Sequence, residues 1–205
     1  MLCLVIGNGE SRKNINLNNF QSDITIGCNA LHRDMILDHL VCCDRRMAEE
    51  AITGNNTTDT KIYVRDMWHR YFRKIKKDKR IHQLPQVPDE TEFKKDQAEH
   101  WGSGPYAVLL AADLEQVSEI HLVGFDLYSK NELVNNIYKG TQNYSSPKSK
   151  PIDYSYWVHQ IGKVFKTFPN KKFVIHNIES WEFPKQWKYP NVSYKVLVTK
   201  NLTFA

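Results

Sequence analysis

The residues of this chain whose types and spacing suit chemistry stand at the ends of short apolar runs. Leu2-Cys3-Leu4-Val5-Ile6 breaks into Gly7-Asn8-Gly9-Glu10-Ser11. Gly27-Cys28 leads to Asn29, Leu40-Val41-Cys42-Cys43 to Asp44, and Ile120-His121-Leu122-Val123 to Gly124-Phe125-Asp126. Small residues at a strand end let backbone N–H groups approach an anion, and Asn8, Ser11 and Asn29 add hydrogen bonds for phosphate, ribose or base. A plain tight turn uses the same residues, and Gly-Asn-Gly lacks the third glycine of the dinucleotide fingerprint. Asp44 and Asp126 are polar strand ends that reach the same edge or, equally, cap the next helix or shape a turn. Trp101-Gly102-Ser103-Gly104-Pro105-Tyr106 opens a small, apolar stretch. Ser103 is expected as its N-cap and Pro105 in its first turn, and such a helix start is also an anion site.

These groups need a scaffold that brings strand ends together. At 205 residues the chain suits one domain spanning 1–205, with a core of useful size. The pattern predicts strands at 2–6, 24–28, 40–44, 61–64, 119–126, 172–176 and 192–198. Helices are expected at about 46–52, 65–77, 103–114 and 154–168, with another beginning within 7–20. Alternating strands and helices predict an α/β, Rossmann-like domain with a largely parallel sheet and helices on both faces. Residues 83–99, with Pro85 and Pro88, are expected as a surface loop. The polar 131–150 segment is expected as a small lid, mobile until a ligand orders it.

No run approaches the ~20 apolar residues of a membrane span, and the apolar N-terminal stretch lacks the features of a signal peptide. A soluble, cytoplasmic protein is the expectation. Cys3, Cys28, Cys42 and Cys43 lie in strand-like segments without zinc spacing, so buried reduced thiols and no metal are expected. The net charge is +5, with a basic excess in residues 65–80, where Arg65, Arg70, Arg73, Lys74, Lys76, Lys77, Lys79 and Arg80 interleave with Trp68, Tyr71 and Phe72. That mixture suits nucleic acid or an anionic membrane surface; it equally suits a helix with buried aromatics and solvated lysines.

The ordered set Gly7-Asn8-Gly9-Glu10-Ser11, Gly27-Cys28-Asn29, Gly102-Ser103-Gly104-Pro105-Tyr106 and Gly124-Phe125-Asp126-Leu127-Tyr128 resembles the bacterial sialyltransferases of glycosyltransferase family 42. It also resembles the related domain-of-unknown-function-115 proteins, which include pterin diphosphokinase-like members. In family 42 the blocks read Gly-Asn-Gly-Pro-Ser, Cys-Asn, Ser-Gly-Val-Tyr and Gly-Ile-Asp-Phe-Tyr. The similarity covers most of residues 1–130 and, more weakly, 150–180. It implies a metal-independent transferase using a nucleotide-sugar (CMP-sugar-like) donor, with no cofactor and a glycan or other hydroxyl acceptor. By the resemblance, Gly7, Asn8, Gly9 and Ser11 line the phosphate and ribose site, Asn29 contacts the nucleotide, and Ser103 and Gly104 sit beside the donor. Asp126 and Tyr128 close the opposite side, and Tyr138 and Tyr144 are counterparts of the lid tyrosines that hold the leaving phosphate. The family's histidine base would fall near 151–153, where Asp153 is the nearest proton acceptor and His159, further into the helix, the second candidate.

Two further functions remain open beside a glycosyltransferase. A phosphoryl or diphosphoryl transferase would use magnesium with Asp44 and Asp126 as carboxylates. A non-catalytic nucleotide-binding protein would keep the cleft without the base.

Overall fold

The computed structural model describes residues 1–75, 77–128 and 132–197. Eight parallel strands form one sheet: β1 (Leu2–Ile6), β2 (Ile24–Cys28), β3 (His39–Cys42), β4 (Lys61–Val64), β5 (Ile81–Gln83), β6 (Glu119–Val123), β7 (Lys172–Asn177) and β8 (Val192–Val196), in the order β5-β4-β3-β2-β1-β6-β7-β8. The helices are α1 (Arg45–Thr53), α2 (Asp66–Ile75), α3 (Ser103–Asp113) and α4 (Ser155–Thr167). The architecture is the expected single α/β, Rossmann-like sheet. No helix among the described residues is long and apolar enough to cross a membrane.

β1 is apolar at every position because it is buried on both faces. Cys3 and Val5 join the core beneath α3 and α4, whereas Leu4 and Ile6 join the core beneath α1 and α2. α3 reads as uniformly small and apolar for a related reason: residues 105–112 are all buried, as befits a helix enclosed on several sides. α4 is amphipathic and buries Val158, Ile161, Val164 and Phe165.

The strand order reverses beside β1. The chain works outward from β1 to β5, returns through α3, and places β6 on the other flank of β1. In open α/β sheets, the crevice outside the carboxyl ends of strands at such a reversal is where ligands bind.

Three expectations about elements differ from what is seen. Residues 7–20 hold two 3₁₀ turns, Glu10–Arg12 and Leu17–Asn19, in place of a helix start. Asn16 accepts a hydrogen bond from the Asn18 N–H (3.1 Å), the local bonding by which asparagine competes with helix. β5 was not anticipated because it is a three-residue edge strand, Ile-His-Gln. Ser103 is the first helical residue of α3 and not its cap, which is Gly102.

Candidate functional site

A cavity of about 510 Å³ opens at the reversal point. Its floor is made of strand ends: Gly7, Asn8 and Gly9 after β1, Asn29 after β2, Asp44 after β3, and residues 124–127 after β6. One wall is the start of α3, with Ser103 and Gly104; the other is the lead into α4, with Asp153, Tyr156 and Trp157. The structure therefore brings together nine anticipated residues: Gly7, Asn8, Gly9, Asn29, Asp44, Ser103, Gly104, Asp126 and Asp153.

Hydrogen bonds lock three of these elements to one another. The Cys43 N–H donates to the Ser103 hydroxyl (3.0 Å), which donates to the Asn29 side-chain oxygen (2.9 Å). Asn29 adopts φ 52°, a left-handed conformation that asparagine tolerates better than most residues. Asn29 lines the cavity, and no protein acceptor for its amide nitrogen is found among the described residues. The first-turn N–H groups of α3 have no acceptor within their own helix, so the cavity meets a positive helix end. A methyl group built on Gly104 would meet only the Phe125 ring, at 3.5 Å. Asp44 stands at the backbone cap position of α1, yet its carboxylate makes no capping hydrogen bond and is exposed to the cavity.

The turn after β1 is more enclosed. Asn8 donates to the Cys28 carbonyl (3.0 Å) and the Tyr144 hydroxyl (3.2 Å), and accepts from Arg12 (3.3 Å). Arg12 is itself buried, donates to the Gly7 carbonyl (2.7 Å) and pairs with Asp34 at 3.8 Å. Ser11 does not line the cavity: its N–H (2.8 Å) and its hydroxyl both donate to Asp126. Burial raises the Asp126 pKa above the ordinary carboxylate value, with the bonds from Ser11 opposing that rise.

The lid residues lie against this turn. The Ile137 N–H donates to the Asn8 carbonyl (2.9 Å), Glu10 N–H to Asn135 (2.8 Å), and Arg33 to Thr141 (2.7 Å) and the Gln142 carbonyl (2.9 Å). Tyr138 is buried, donating its hydroxyl to Asp34 and accepting from Arg12 (3.1 Å). Residues 135–142 are thus hydrogen-bonded to the turn after β1 and to Arg33 after β2; Asn131 lies outside the described residues. Tyr138 and Tyr144 face the turn and not the cavity; burial pushes both hydroxyls well above the usual phenol range.

Tyr128 and His159 also stand outside the cavity, in a neighbouring groove. Tyr128 donates to the Glu182 carbonyl (3.1 Å), and His159 Nε2 sits 2.8 Å from Asp96. Asp153 is exposed at the cavity rim; the Ser155 hydroxyl and then the Ser155 N–H (2.9 Å) lower its pKa, and the second of these satisfies the first N–H of α4. Cys28 and Cys43 reach the wall, but burial pushes their thiols up to about 12 and about 11, so neither is a thiolate near neutral pH.

Sequence reasoning missed Arg65, Lys94, Glu99 and His100 in the wall. Arg65 donates to the Ala98 (2.6 Å) and Trp101 (2.7 Å) carbonyls and so holds the entry to α3. His100 is the only histidine lining the cavity among the described residues. Nothing in the unpatterned 83–99 stretch marks Lys94 and Glu99, and only the abrupt return of order at Trp101 points to His100; Arg65 reads as one member of the basic run. Among the described residues, no three or more His, Cys, Asp or Glu are grouped so as to hold a metal ion.

Among its described residues, the basic stretch 65–80 is built as an ordinary amphipathic surface. Phe72 is buried, Arg70 pairs with Asp66, and Arg80 pairs with Asp78 (2.6 Å) and donates to the Thr57 and Ile52 carbonyls (2.8 Å each).

Compared with protein-family models, curated proteins and solved structures, the chain gives no significant match.

Proposed function

We propose that this chain is a glycosyltransferase that takes a nucleotide-sugar donor, of the CMP-sugar kind, and passes the sugar to a hydroxyl acceptor. The observation that carries the reading is the cavity at the strand reversal, where the open start of α3 faces a wall of hydrogen-bonding groups. A donor phosphate beside the Ser103 and Gly104 N–H groups would be held as helix N-termini hold anions. Asn29 would offer its amide nitrogen to the nucleotide. As the bond to the sugar breaks, negative charge grows on the leaving phosphate, and the helix end and Lys94 supply stabilisation without a metal. Asp153 at the rim would accept the proton of the acceptor hydroxyl. His100 is a second group in the same wall able to do so, and it replaces His159, which faces away.

Phosphoryl or diphosphoryl transfer would need Asp44 and Asp126 free to hold magnesium. Asp44 is free, but both Asp126 oxygens accept from Ser11, which favours the glycosyl reading. A nucleotide-binding protein without turnover would use the same cleft. Nucleic acid or an anionic membrane surface at 65–80 would meet Lys74, Lys77 and Lys79, because Arg65, Arg70 and Arg80 bond within the protein.

The test is a thermal-shift screen with nucleotides and nucleotide sugars, followed by turnover of the best donor in chelator. A ligand at 100 times its dissociation constant should stabilise by about 2.7 kcal/mol. Loss of the base should lower the rate by about 10²–10⁴ with donor binding nearly intact. Asp153→Asn keeps the cap and loses the proton acceptor; a wild-type rate in it, with an inactive His100→Gln, moves the base to His100. Turnover only with magnesium would favour phosphoryl transfer, and binding without turnover a non-catalytic role.

A further inference from the structure

On the far side of the first turn of α4 lies a second depression, a groove of about 870 Å³. One stripe of α4 forms its floor: Ser155, His159, Gly162, Lys163 and Lys166. The i, i+4, i+7, i+8 and i+11 spacing places them along one helix face, roughly 16 Å from end to end. Aromatic side chains stand at the end nearest the cavity, where Tyr128 and Tyr154 have ring centroids 5.6 Å apart, and on the opposite wall, where Phe183 and Tyr189 sit. The Tyr128 ring is pinned by its hydroxyl, which bonds both the carbonyl and the N–H of Glu182, while Tyr154 leaves 48% of its surface in solvent.

The polar groups divide by position. Near the middle, Asp96 is buried and accepts from His159, Lys163 (2.8 Å each) and Thr91 (2.7 Å). Lys166, in the last turn of α4, and Lys185, in the turn packed along the helix, both line the groove, are exposed and make no ion pair among the described residues. Groove and cavity adjoin at Leu127, which lines both. Leu127 has φ 66°, a costly conformation for a bulky side chain. The Asp126 carbonyl preceding it accepts from Trp181 and from Tyr128 (2.8 Å each), and these bonds hold the bend between the two depressions.

We propose that this groove is a binding site for an oligosaccharide carrying an anionic group, with the sugar rings on the tyrosines and the anion at Lys166 and Lys185. It rests on the glycosyltransferase reading to this extent: the bound chain would be the acceptor, entering the cavity past Leu127 with its terminal hydroxyl near Asp153. Aromatic faces with a hydrogen-bonding His159 suit a chain rich in hydroxyls and C–H faces. The lysines are largely matched by Asp89, Asp96 and Glu182, so the groove suits one or two negative groups rather than the regular charge of a nucleic acid.

The experiment is calorimetric titration of the full chain with four probes: tetragalacturonate, a heparin-derived tetrasaccharide, neutral cellotetraose and an eight-nucleotide oligothymidylate. At least one anionic tetrasaccharide is expected to bind more tightly than cellotetraose and oligothymidylate. Lys166→Gln with Lys185→Gln should weaken it about tenfold, and Tyr154→Ala should weaken it as well, with nucleotide affinity in the cavity unchanged by either. Failure of both anionic saccharides, equal binding by the variants, or preference for oligothymidylate would overturn the assignment. Nucleotide binding without saccharide binding removes the groove alone; saccharide binding without nucleotide binding removes the transferase reading and leaves the groove as a carbohydrate site.

Discussion

The turn after β1 and the start of α3 look alike as sequences, each a short run of glycines with a serine, yet their glycines serve opposite ends. A Cβ on Gly7 would lie 2.4 Å from the Gly124 carbonyl oxygen, and one on Gly9 would lie 2.4 Å from the Asp126 carboxyl. In that turn the missing side chains let protein approach protein. On Gly104 the missing side chain leaves open cavity beyond a single ring contact at 3.5 Å. A glycine at a strand end thus points to a ligand only when the space it frees is still empty after the chain has packed.

The largest effect expected from this contrast is on stability. Gly7→Ala sets a methyl group against backbone that cannot swing away, and should cost about 3 kcal/mol. That lowers Tm by roughly 6–12 °C for a chain of this size. Gly104→Ala, in a helical turn, should leave Tm unchanged or raise it slightly. Equal losses in the two variants would erase the distinction.

Next in size is binding. Gly104→Leu fills the cavity and should weaken the best nucleotide by about tenfold or more, or 1.4 kcal/mol, with Tm near wild type. Unchanged affinity in a direct titration would move the ligand elsewhere.

A similar but smaller cost attaches to Ser11, which the family resemblance assigns to the ligand and the packing assigns to Asp126. Ser11→Ala removes a donor from a buried carboxylate and should destabilise by about 1–2 kcal/mol at neutral pH, leaving nucleotide affinity intact. The raised Asp126 pKa sets the sign of the pH effect. Its contribution to stability is present in full below the ordinary carboxylate value and is lost as pH rises through the folded value. The Ser11→Ala penalty should therefore shrink in acid, which denaturation at pH 3 and pH 7 compares.

The smallest effect belongs to Tyr144. Its hydroxyl accepts from Asn8 and, more weakly, from the Ala30 N–H at 3.4 Å. Tyr144→Phe should cost roughly 0.5–1.5 kcal/mol of stability and leave turnover unchanged. A large fall in rate would show that the lid tyrosines reach the departing phosphate after all.

The legible part of the molecule was whatever a local pattern must declare. β1, buried on both faces, reads as a continuous apolar run, β6 as an apolar run interrupted by His121, and α4 shows its amphipathic period, so the convergence of Asn8, Asn29, Ser103 and Asp126 on one edge follows from chain order. The illegible part depended on tertiary partners. Arg12 carries no local sign of burial, yet it is buried beneath the β1 turn. Residues 83–99 carry no periodicity, yet they bury Leu84, Val87 and Asp96 and bring Lys94 and Glu99 to the wall. His159 had the right residue type and helix, but its position on α4 turns it to the groove, and one helical turn decides between the two depressions.

The pairing of β1 with β6 carries a consequence for how the protein comes to exist. Each residue of β1 stands opposite a partner 117 positions later in the chain, so the central crevice closes across one of the longest loops the sequence offers. Contacts of such separation slow folding, because the entropy of closing the loop must be met before they form. During synthesis β1 to β5 emerge first, and one edge of the apolar β1 stays unpaired until β6 follows. A strand edge in that state invites pairing with another chain. The nascent protein is thus most exposed to aggregation between the emergence of β1 and that of β6, at the same seam that later forms the cleft.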